Sequence, residues 1–118
     1  MSAKKVILVD DTPDFRMLFT HALKLKDVEV VAFHSGKTAL NYLKNEIAMP
    51  DLVFVDYTMP EMMGDEFIAA LRQMPGFSNI RIFMCSAHKG IENEAKKMGA
   101  DGFLSKPFEL SQLYKLVS

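Results

Sequence analysis

A chain of 118 residues that is 49% hydrophobic and 25% charged has the composition of one globular domain with one core, which excludes disordered, fibrous and disulfide-stapled classes. The 14 basic and 15 acidic residues leave a formal net charge of -1 with no basic stripe, which argues against direct nucleic-acid binding. No apolar stretch reaches bilayer length, Met1 to Lys5 runs straight into a strand pattern, and the lone Cys85 fits a reducing compartment, so a cytoplasmic protein with no membrane segment is expected.

Val6 to Val9 is a short continuous apolar run, the pattern of a strand covered on both faces. Phe15, Leu18, Phe19, Ala22 and Leu23 then fall on one helical face, with Thr12 as N-cap and Pro13 in the first turn. Val28 to Phe33 predicts a second strand. After Gly36, the positions Ala39, Leu40, Leu43 and Ile47 predict a second helix, closed by Pro50. Leu52 to Val55 predicts a third strand. Phe67, Ile68, Leu71 and Met74 predict a third helix ended by Pro75-Gly76. Ile80 to Cys85 predicts a fourth strand, with Cys85 buried as packing rather than acting as a nucleophile. Ile91, Ala95 and Met98 predict a fourth helix ended by Gly99, and Gly102 to Leu104 a brief fifth strand. A last apolar face at Leu110, Leu113, Tyr114 and Val117 completes the alternation of strand and helix, which implies a doubly wound parallel α/β domain over residues 1–118. The nine methionines read as core filling.

In such sheets the loops beyond the carboxyl ends of the strands form the ligand crevice. The first strand runs into Asp10-Asp11, the third into Asp56, the fourth into Ser86 and the fifth into Lys106-Pro107. Taken singly, each has an ordinary reading: Asp10 and Asp11 as caps of the first helix, Asp56 as a turn residue, Ser86 as a cap of the fourth helix, Lys106 as a solvated surface lysine. Their shared position at the same strand ends outweighs those readings. Three carboxylates brought together repel, which calls for cations: Lys106 supplies one, and hard oxygen ligands too few for a closed cage favour Mg²⁺ with retained waters. This pattern suits metal-assisted phosphoryl chemistry.

Four motifs in order resemble the receiver domains of bacterial two-component response regulators, including the single-domain chemotaxis type, over essentially the whole chain. They are Val6 to Asp11, Asp56-Tyr57-Thr58-Met59-Pro60 with Gly64, Ser86-Ala87, and Gly99 to Phe108 containing Lys106-Pro107. The resemblance implies a flavodoxin-like sheet in strand order 2-1-3-4-5 with five helices. It also implies that Asp56 attacks a phosphohistidine on a partner, either a sensor histidine kinase or a phosphotransfer protein. Asp11, Asp56 and the Thr58 carbonyl would ligate Mg²⁺, with Asp10 acting through water. Lys106 would pair with Asp56 and then with the phosphoryl oxygens, and Ser86 would hydrogen-bond the attached group. The Lys106-Pro107 peptide would be cis. Ser86 and Phe103 would act as the switch, repacking the face made by the fourth helix, fifth strand and fifth helix for a downstream protein partner.

Phe103 stands where many relatives carry tyrosine, which removes a phenol hydroxyl but not ring burial. Thr58 and His88 occupy positions that tune phosphoryl lifetime in the family. The last helix, from about Glu109 to Ser118, is short, so either the protein ends there or the chain is a receiver cut from something larger. Two competing readings remain. An aspartyl-phosphate hydrolase would place a second carboxylate two residues after the nucleophile, where Thr58 stands. A phosphorylation-independent binding module would not need Asp10, Asp11, Asp56, Ser86 and Lys106 together. The expected protein is thus a signalling receiver that catalyses only its own phosphorylation and dephosphorylation.

Overall fold

The computed structural model describes residues 3–45, 49–88 and 90–118. Met1 and Ile47, used above for the chain start and the second helical face, lie outside the described residues. The elements alternate along the chain as β1 (Lys5–Val9), α1 (Pro13–Lys24), β2 (Glu29–Phe33), α2 (Gly36–Asn45), β3 (Leu52–Asp56), α3 (Gly64–Gln73), β4 (Arg81–Ser86), α4 (Ile91–Ala95), β5 (Gly102–Ser105) and α5 (Leu110–Val117). All strand pairs are parallel, in the order β2-β1-β3-β4-β5. Parallel neighbours need a crossover between them, which is why a helix follows each strand. The expected doubly wound α/β sheet, with five strands and five helices among the described residues, is therefore the observed one.

Successive strand residues point to opposite faces, so each strand feeds two layers. Ile7, Val9, Val53, Val55, Ile82 and Met84 pack against Ala39 and Leu43 of α2 and Phe67, Ile68 and Leu71 of α3. Val6, Leu8, Phe54, Phe83, Cys85 and Leu104 pack on the other side against Phe19, Ala22 and Leu23 of α1 and Leu113 and Val117 of α5. The one core expected from length is thus divided by the sheet. Covering both faces explains why Val6–Val9 of β1 and Leu52–Val55 of β3 are uninterrupted apolar runs, each large buried side chain contributing about 1.5–3 kcal/mol. No helix among the described residues is long and apolar enough to cross a membrane.

Several boundaries differ from the sequence pattern for local reasons. Val28 is not in β2: its amide bonds back to Leu23 O after Asp27 takes a left-handed φ of 59°, so the strand starts at Glu29. Leu18 is 63% exposed at the outer edge of the α1 stripe rather than buried with Phe19 and Leu23. Met74 is the C-cap of α3 rather than part of it. α4 stops at Ala95, and Met98 and Gly99 lie in the turn beyond, where Ala100 N closes onto Ala95 O and Gly99 has a φ of 96°. Met98 still packs onto the core, but from that turn.

The strand order reverses at β1 and β3, because β2 lies on one side of β1 and the remaining strands on the other. A crevice opens at the carboxyl ends there. The loop after β3 is drawn in tightly by Gly64, whose amide donates to Tyr57 O at 2.7 Å. A Cβ at Gly64 would lie 2.6 Å from Asp56 O and 2.9 Å from Tyr57 Cα, both backbone atoms with little room to give. Gly64→Ala is therefore expected to cost about 1–3 kcal/mol in urea unfolding, and an unchanged midpoint would contradict this packing.

Candidate functional site

The register of the sheet brings the polar residues to one edge. Asp10 follows β1 and keeps strand pairing, its amide donating to Phe33 O at 2.9 Å. Asp56 is the last residue of β3 and Ser86 the last of β4, while Lys106 follows β5 with its amide donating to Ser86 O at 3.0 Å. Carboxylate oxygens of Asp10, Asp11 and Asp56 all lie within 4.8 Å of one another. Asp10 is fully buried, Asp56 is 7% exposed, and Asp11 is open to solvent.

Asp10 divides its two oxygens. Oδ1 accepts from Thr12 N at 2.8 Å, and Oδ2 lies 2.5 Å from Lys106 Nζ. That ammonium is the close partner of Oδ2, onto which no aligned hydrogen bond falls among the described residues. The same ammonium is 3.4 Å from Asp56 Oδ2. Its proximity to Asp10 has no signal in the sequence. Arg16, unmarked in the sequence, donates from Nη1 to Asp10 O at 2.7 Å, fixing the backbone of the acidic pair. Asp10 does not cap α1: Thr12 is the N-cap, and Asp10 Oδ1 accepts from the amide of that residue rather than from one inside the helix.

Ser86 is buried, and its Oγ accepts from His88 N at 3.0 Å, so it braces the loop rather than capping α4, whose N-cap is Gly90. Thr58 is exposed in the turn two residues beyond Asp56. Phe103 sits half-buried on β5 opposite Met84, against the layer that carries α2 and α3. The Lys106-Pro107 peptide is cis.

A family model for the response regulator receiver domain matches residues 6–118. The chain belongs to that family. It is 36% identical over 112 residues to the chemotaxis protein CheY of Listeria monocytogenes, covering 92% of this chain and 91% of that one. It is 33% identical to CheY of Bacillus subtilis, covering 98% and 96%. Among solved structures, the chemotaxis response regulator CheY4 of Vibrio cholerae superposes with a TM-score of 0.86 at 33% identity, covering 96% and 94%. The chain is therefore a receiver module of two-component signalling, a class whose members are switches rather than conventional enzymes.

The electrostatics of this receiver's site follow from burial and like charge. Burial raises Asp56 from the ordinary 3.8 to about 6, with Asp10 and Asp11 pushing the same way and Lys106 opposing them. Burial pulls Lys106 down, but its bond to Asp10 and the charges of Asp56 and Asp10 outweigh that and hold it above its ordinary value. Burial pushes the Cys85 thiol up, so no thiolate competes as a nucleophile.

Three carboxylates against one ammonium leave negative charge that a divalent cation would offset. The donors are hard carboxylate oxygens gathered within 4.8 Å of one another, the ligand type that Mg²⁺ takes. Asp10 Oδ2 is held by the Lys106 ammonium at 2.5 Å, so Asp11 and Asp56 carry the less committed oxygens of the cluster. The residues fit the cation.

Proposed function

We propose that this receiver, spanning residues 1–118, takes a phosphoryl group onto Asp56 from a phosphohistidine of a sensor kinase or phosphotransfer protein in the cytoplasm. The observation that carries the proposal is the convergence of Asp10, Asp11 and Asp56 on one edge with Lys106 bridging two of them. An Asp56 oxygen forms the new P–O bond as the P–N bond breaks, and the electron pair stays on the partner's imidazole nitrogen. With a pKa of about 6, Asp56 is mostly ionised at neutral pH and so ready to attack. Bound at Asp11, Asp56 and the Thr58 carbonyl, with Asp10 reached through water, Mg²⁺ would supply the positive charge that the phosphoryl oxygens need. Lys106 holds an ammonium 3.4 Å from Asp56 Oδ2, where the incoming phosphoryl oxygens would gather.

Once attached, the phosphoryl group offers acceptors for the Ser86 hydroxyl, which would leave the His88 amide. Movement of Ser86 opens space beside β5, and Phe103 turns inward to fill it. The α4-β5-α5 face then presents a second packing that a downstream protein can select. In this reading the chain catalyses only its own modification and its reversal.

Incubation with Mg²⁺ and a small acyl phosphate, followed by intact mass, should give one hydroxylamine-labile phosphoryl adduct. Steady turnover of phosphate esters would favour a hydrolase instead, and no adduct at all would favour a phosphorylation-independent module. Mg²⁺ should also stabilise the receiver by mass action. At tenfold over its dissociation constant the gain is about 1.4 kcal/mol, or roughly 5 °C in Tm. A melt that ignores Mg²⁺ would count against the ligand set.

A further inference from the structure

Lys106 is a long flexible side chain, and its ammonium must face the phosphoryl oxygens when they arrive. Two of its directions are taken by carboxylates, at 2.5 Å from Asp10 and 3.4 Å from Asp56. A third is taken by carbon: Nζ sits 4.3 Å from the ring centroid of Phe15 on α1. The side chain is only 16% exposed, so this aromatic face stands where water would otherwise solvate the charge. Phe15 is itself braced, edge-on to Phe108 at 5.7 Å and 6.0 Å from Phe19. Phe19 continues into Phe54 of β3 at 5.0 Å. An aromatic chain thus runs from the sheet to the ammonium.

We infer that Phe15 is a positioning residue for phosphoryl transfer, holding the Lys106 ammonium on the reaction side by a cation–π contact. The inference rests on the phosphoacceptor reading of Asp56 and adds a residue to it. The negative face of the ring attracts the ammonium and shields it from solvent. Fewer Lys106 rotamers are then populated, and the charge meets the transferring oxygens without reorganising. Simple packing of Phe15 against the α1 and α5 layer would need the ring's volume but not its π electrons.

The test measures the single-turnover phosphorylation rate with a small acyl phosphate at saturating Mg²⁺. Phe15→Leu should slow transfer about threefold to tenfold, and Phe15→Tyr should stay within about twofold of wild type. Phenylalanine analogues carrying one, two and three ring fluorines at position 15 keep the shape while draining the π face. The logarithm of the rate should fall stepwise along that series. In parallel, NMR of labelled lysine should show the Lys106 ε-methylene protons shifted upfield by the ring current, a shift lost in Phe15→Leu. A flat fluorine series in protein that does accept the phosphoryl group overturns the positioning role. Wild-type protein that shows the ring-current shift but forms no adduct overturns it too, and locates the failure at Asp56 rather than at the contact.

Discussion

Asp56→Asn should give a protein that takes no phosphoryl group yet resists unfolding better than the parent in metal-free buffer. Burial holds the Asp56 carboxyl at about 6 against 3.8 in its ordinary state, so the folded form binds that proton more tightly than the unfolded chain. Its stabilising contribution is complete below about pH 4 and is lost as pH rises through 6. At neutral pH the loss is about 3 kcal/mol, because each tenfold difference in proton affinity between folded and unfolded chain is worth roughly 1.4 kcal/mol. An asparagine amide does not ionise. The variant should therefore exceed wild type by up to that amount at pH 7.5 in urea with a chelator, and the two curves should converge near pH 4. Equal stability at both pH values would mean that Asp56 is not held against its charge.

Lys106→Met is expected to do the opposite. Methionine keeps most of the stem's volume but removes the ammonium, leaving fully buried Asp10 with its Oδ2 uncompensated. Removing one partner of a buried pair costs about 3–5 kcal/mol, because the survivor stays desolvated. Added Mg²⁺ should recover part of that loss. Phosphoryl transfer should fall by about two to three orders of magnitude even at saturating Mg²⁺, as when a preorganised donor is lost elsewhere. Urea unfolding with and without Mg²⁺ checks the first claim, and single-turnover rates the second. A variant as stable as wild type would show that Asp10 does not depend on Lys106.

The contrast between these two variants reflects what residue order can and cannot convey. Val6 to Val9 and Leu52 to Val55 announce strands covered on both faces, because only such strands are apolar at every position. The parallel order then follows from the helix between each pair, and with it the gathering of Asp10, Asp11, Asp56, Ser86 and Lys106 at one edge. Distances inside that edge are tertiary quantities. Nothing in the chain says that Lys106 lies nearer Asp10 than Asp56, that Arg16 grips Asp10 O, or that Phe15 reaches the ammonium. Leu18 misleads for the same reason: it shares the apolar stripe of α1 with buried Phe19 and Leu23, yet lies at its outer edge, 63% exposed. The start of β2 depends on a left-handed Asp27, a conformation that an aspartate accepts but does not advertise.

The most direct measurement is the chemical position of the adduct. Treatment of the phosphorylated protein with borohydride reduces an aspartyl phosphate to homoserine, which peptide mass spectrometry then locates. Homoserine at position 56 alone, formed only when Mg²⁺ is present, is the predicted result. Homoserine at Asp10 or Asp11, or modification that proceeds equally without Mg²⁺, would contradict the assignment of Asp56 as acceptor in a metal-assisted site.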